Sequence, residues 1–133
     1  MAKKSSSDRS FALSPPEVSG PAAAALISAI LGCFLMMVAH HLGDTSKPVE
    51  KLLWFIGSWI PGSKTGDELA GEIGSYSGKE TVLLVSWLVS WWILHQLWKD
   101  KQIRFAWIFW SFSLLVAATM MAWHPMIPYL RIM

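Results

Sequence analysis

Apolar and polar positions fall along this chain in long blocks rather than at short period. Residues 1–20 (MAKKSSSDRSFALSPPEVSG) are polar, rich in serine and interrupted by Pro15-Pro16, the composition of a flexible arm or of one that folds only on a partner. An apolar run follows from Pro21 to His41. Proline suits a first helical turn, where its missing N–H costs nothing, and a helix over this run would reach about 31 Å, enough to cross a hydrocarbon core. A second run, Thr81 to Trp98, is joined to a third, Ile103 to Trp123, by little more than Lys99-Asp100-Lys101, and His124-Pro125 stops the third. The pattern predicts transmembrane helices over 21–41, 81–98 and 103–123, with an interfacial tail around Pro128, Tyr129 and Arg131. A cleaved secretory signal fits the first run poorly: the apolar stretch and the charged region before it are both long, and no small-x-small cleavage site follows.

The connection between the first two runs has a pattern of its own. Val49, Leu52, Leu53, Ile56, Trp59 and Ile60 recur at helical spacing on one face, Pro48 opens the segment and Pro61-Gly62 closes it. A helix of this length spans about 18 Å, too short to cross a bilayer. The expectation is therefore an amphipathic helix over 48–60 that lies in the membrane interface, apolar face down. Residues 62–78 are rich in Gly, Ser and acids and read as loop, in which Asp67, Glu68 and Glu72 only solvate the chain. Ser77-Gly78-Lys79-Glu80 matches a capping box that would start the second span, with Ser77 as N-cap and Glu80 at the third helical position. The fold class is thus an all-α membrane protein: three transmembrane helices plus a short interfacial amphipathic helix in the first loop. It forms one domain over 21–133 behind the arm 1–20, because the polar pieces are too small to bury a core.

Composition refines this picture in three ways. Among 133 residues, 53% hydrophobic, the net charge is only +2 and forms no basic stripe, which excludes a nucleic-acid partner. The single cysteine, Cys33, lies in an apolar run and reads as a packing residue. The nine tryptophans divide into those at run ends, such as Trp98 and Trp123, where an aromatic belt belongs, and those inside runs, Trp87, Trp91, Trp107 and Trp110, which face lipid, protein or pigment. Lys3, Lys4 and Arg9 before the first span and Lys99, Lys101 and Arg104 around the second turn are denser than the cations on the other side, which places the N-terminus in the cytoplasm.

Candidate chemistry is concentrated in a repeated word. Met36-Met37-Val38-Ala39-His40-His41 ends the first span and Met120-Met121-Ala122-Trp123-His124 ends the third. In both, two Met precede a His by three and four residues, one helical turn, so sulfur and imidazole share a face. Three antiparallel spans would bring both words to one end. Paired imidazoles suit haem iron, added thioether suits copper, and a (bacterio)chlorophyll magnesium also takes an axial histidine. His40 continues the row Ala24, Ser28, Gly32 and Met36 and is the favoured inward partner of His124, with His41 turned elsewhere. The plainer reading is Met as filler and His meeting water and headgroups at a helix end. His95, flanked on its face by Trp91 and Trp98, is either a ligand completed by a partner or a histidine hydrogen-bonded to a neighbouring helix.

Rows of small residues mark close helix approach: Ala24, Ser28 and Gly32 on the first span, Ser86 and Ser90 on the second. They serve either a docking face for another subunit or packing within the bundle. No phosphate loop, CxxC pair, HExxH or nucleophile elbow is present, and apart from Arg104 at the very start of the third the predicted spans hold no Asp, Glu, Lys or Arg, so the signals of an enzyme are missing. These features point first to an accessory subunit of a larger membrane complex of electron transport or photosynthesis, in a bacterial inner membrane or a photosynthetic membrane. A His-ligated cofactor-binding protein is the second reading and a small transporter the third.

Overall fold

The computed structural model describes residues 16–63 and 74–122. The rest of the arm, the acids Asp67, Glu68 and Glu72, and Trp123, His124 and the tail lie outside the described residues. In chain order the elements are β1 (Glu17–Ser19), α1 (Gly20–Thr45), α2 (Lys47–Gly57), α3 (Gly74–Trp98), β2 (Gln102–Arg104) and α4 (Phe105–Ala122). α1, α3 and α4 are each long and apolar enough to cross a membrane.

Besides α2, which ends at Gly57 rather than at residue 60, three boundaries differ from the sequence expectation. First, two strands of three residues each stand beside the helices of a mostly helical fold. They pair antiparallel, with Glu17 opposite Arg104, Val18 opposite Ile103 and Ser19 opposite Gln102. The reason is a need for hydrogen-bond partners at helix starts, where the first N–H groups have none within the helix. Ser19, the N-cap of α1, makes no side-chain capping bond. Instead the Gly20 N–H donates to Lys101 O at 2.8 Å, and the Phe105 N–H at the start of α4 donates to Pro16 O at 3.0 Å. The two helix starts thus satisfy one another through extended backbone, and residues 102–104 leave the third helix. Gly20 is required here, because a Cβ would collide with the Trp98 carbonyl.

Second, α1 continues past His41 to Thr45, where Ser46 turns extended and still donates its N–H to Leu42 O at 3.0 Å. Pro48 then enters the first turn of α2, as its sequence signal predicts. Third, α3 begins at Gly74, so Ser77 is no N-cap. It is buried inside the helix, and its carbonyl accepts the Thr81 hydroxyl at 2.7 Å. The capping box gives way to packing. A Cβ on Gly78 would strike the Leu53 carbonyl, and one on Gly57 would strike the Ser77–Gly78 backbone. The glycines let α2 and α3 approach backbone to backbone, with Leu53 buried between them.

α1 is the hub. It packs along α3 on one side and α4 on another, while α3 and α4, though joined by a tight turn, make almost no contact with each other. About 33% of the most apolar stretch of α1 is buried inside the chain, against 17% for α4 and 6% for α3, so the outer two helices keep most of their apolar surface outward. Side-chain size explains the asymmetry. Ala24, Ser28 and Gly32 on α1 are buried, and a Cβ on Gly32 would sit 3.1 Å from both Leu83 O and Trp87 Cβ of α3. The small-residue row of α1 is therefore engaged inside the chain at Gly32, whereas α3 and α4 display Trp92, Trp107, Phe109 and Trp110.

Candidate functional site

Polar chemistry collects where α1 ends, α3 begins and α4 ends. Lys79 enters on the second turn of α3 and is only 6% exposed. A buried ammonium costs several kcal/mol unless it is paired and hydrogen-bonded, by order of magnitude. Two α1 residues one turn apart meet that need. Lys79 Nζ donates to His40 Nδ1 at 2.7 Å and to Asp44 Oδ1 at 3.2 Å. His40 Nε2 lies 3.4 Å from Asp44 Oδ2, which closes the triangle. Because an ammonium can only donate, His40 Nδ1 is the acceptor in this arrangement and Nε2 carries the proton toward the carboxylate. The Tyr76 ring stands 5.0 Å from Nζ and adds a cation–π contact.

The neighbouring histidine turns the other way. His41 Nε2 donates to Met121 O of α4 at 2.8 Å. The described parts of the two words, Met36 to His41 and Met120-Met121, thus lie at one end of the bundle, and His41 bridges to α4. His124, three residues beyond Met121, is outside the described residues. Met37 is buried, Met36 and Met121 are half-buried, and Met120 is exposed. Among the described residues no three His, Cys, Asp or Glu side chains cluster closely enough to hold a metal ion.

A cleft of about 330 Å³ opens beside the triangle, between the start of α3 and the end of α4. Met36, Met37 and Ala122 form its apolar wall, and Lys79, His40 and Glu80 supply its polar groups. Just outside it, Trp59 Nε1 donates to Thr81 Oγ1 at 3.0 Å and ties the chain after α2 to α3. His95 lies far along α3, its ring tilted against Trp91 with centroids 5.5 Å apart, and its Nδ1 is buried with no hydrogen-bond partner among the described residues. Ser86 and Ser90 sit elsewhere again, their hydroxyls bonded to Val82 O and Ser86 O, each at 2.6 Å. Sequence reasoning missed Lys79 because it read the residue as part of a cap. The available signal was a cation at the start of one apolar run and a carboxylate, Asp44, just past the end of another.

Comparison with protein-family models, curated proteins and solved structures finds no match to this chain. The functional reading therefore rests on geometry.

Proposed function

We propose that this chain is a small accessory subunit of a larger membrane complex of electron transport or photosynthesis, with its N-terminus in the cytoplasm and α2 lying in the membrane interface. The observation that carries the reading is the open array around α1. Only about 6% of the most apolar stretch of α3 is buried inside its own chain. Between α1 and α3 runs a groove of about 480 Å³, lined by Leu31 and Leu35 of α1 and by Val85, Ser86, Val89 and Ser90 of α3. Both serine hydroxyls bond back to their own helix, so this stretch of the lining is small and polar-satisfied. Small residues four apart suit the close approach of a second helix better than they suit lipid. Leu52, Phe55 and Trp59 around α2 are exposed large apolar side chains, which suits a helix in the membrane interface. Affinity purification from native membranes tests the proposal. The wild-type chain should bring down a membrane partner, and the Ser86→Leu, Ser90→Leu pair should lose it while remaining folded. A wild-type chain that purifies alone from native membranes overturns the reading.

A second reading is favoured by one contact, that of His41 with the carbonyl of Met121, three positions before His124 in the sequence. In it, haem, (bacterio)chlorophyll or copper would be held by His41 and His124. His40 is the weaker ligand, since Lys79 and Asp44 engage both of its ring nitrogens. The absorption spectrum and metal content of the purified protein test this, and a colourless, metal-free preparation from native membranes would sink it.

A further inference from the structure

The cleft beside Lys79 has the composition of a small-molecule site: mostly apolar walls, a few convergent polar groups and a volume of about 330 Å³. We propose that it binds the carbonyl oxygen of an uncharged, membrane-soluble amphiphile, with Lys79 as the donor. The inference is independent of the docking groove, which is lined by other residues of α1, α2 and α3 and shares none of the cleft's residues.

Three observations lead to this ligand class. The ammonium has three protons, and two go to His40 Nδ1 and Asp44 Oδ1. The remaining partner among the described residues is the face of Tyr76, 5.0 Å from Nζ, a softer contact than a hydrogen bond to a carbonyl oxygen. Charge excludes an anionic head. Asp44 and Glu80 set two carboxylates against the single ammonium, so a phosphate or carboxylate would meet no surplus of positive charge. Location requires an apolar body. The wall of Met36, Met37 and Ala122 continues from the polar end along apolar helices, and the flexible thioethers of Met adapt to a hydrocarbon or a ring. Two sources share this chemistry: the ring carbonyl of a lipid-soluble quinone and the ester carbonyl of a glycerolipid.

The test uses the full chain in detergent. Decylbenzoquinone and dioctanoylglycerol, each labelled with carbon-13 at the carbonyl, are offered separately. Native mass spectrometry counts bound molecules, and isotope-edited infrared spectroscopy reads the carbonyl stretch. One equivalent should bind, with its stretch shifted down by hydrogen bonding, and whichever probe does so assigns the source. Lys79→Met should abolish the downshift. Met36→Trp, which fills the cleft and leaves the triangle intact, should weaken binding at least tenfold. Should Lys79→Met fail to fold, Ala122→Phe and Met36→Trp judge the proposal, both by loss of the bound equivalent with helix content unchanged. Binding of neither probe, equal adducts in wild type and Met36→Trp, or an unshifted carbonyl in the wild type would overturn it, as would preferential retention of anionic phosphatidylglycerol.

Discussion

The two ends of the helix array are held by different chemistry. At one, backbone does the joining: β1 pairs with β2, and the helix starts at Gly20 and Phe105 donate to Lys101 O and Pro16 O. At the other, side chains do it: the Lys79–His40–Asp44 triangle, His41 on Met121 O and Trp59 on Thr81. The backbone clasp asks little of residue identity, because every residue but proline brings the same N–H and C=O. The side-chain end depends on particular groups, and one of them is a buried charge. Substitutions should therefore be tolerated in the clasp and felt at the triangle, except where backbones nearly touch.

The largest effects are expected at those contacts, and they would break the contrast, since each end has one. Gly20→Ala at the clasp and Gly78→Ala beneath α2 both force a Cβ into a neighbouring carbonyl. Each should cost about 3 kcal/mol, the upper part of the usual overpacking range, because backbone yields less than a side chain. Reversible unfolding in mixed micelles, followed by circular dichroism, measures this. A loss below about 1 kcal/mol at either site would contradict the close approach.

Asp44→Ala comes next. Removing one partner of a fully buried ion pair costs roughly 3–5 kcal/mol. Here the carboxylate side chain is 47% exposed, so water already screens it, and about 2 kcal/mol is expected. The contrast sharpens with Asp44→Ala, Lys79→Met, which removes the stranded charge as well. The double variant should be more stable than Asp44→Ala alone. If it is less stable, the ammonium is not the seat of the penalty.

Trp59→Phe should cost about 1 kcal/mol, the usual net worth of one hydrogen bond, since the ring remains and only the N–H to Thr81 is lost. Hydrogen exchange should then accelerate in α2 and leave the clasp amides unchanged. Faster exchange at Ile103 would show that the two ends are coupled.

The smallest change is expected for Val18→Thr in the clasp. Val18 is half-buried opposite Ile103, its ladder bonds are made by backbone, and threonine keeps the β-branched shape. A shift within about 0.5 kcal/mol is expected in the same unfolding measurement. A larger loss would mean that the clasp, too, depends on its side chains.

Much of the architecture was legible from the chain alone. Apolar runs long enough to cross a bilayer must form helices there, because lipid offers backbone groups no other partner. Pro48 and the spacing from Val49 to Ile56 likewise announced α2. What one-dimensional pattern could not supply was which helix stands between the others, since that depends on which faces are thin enough to meet. Only in three dimensions do Gly57 and Gly78 come together, turning an apparent capping box into a crossing point. The same is true of the polar end. Lys79 and Asp44 are 35 positions apart and each looks like an ordinary boundary charge. Burial made a pair of them, because a cation enclosed by folded helices must find its counter-charge on whatever segment the packing brings within reach.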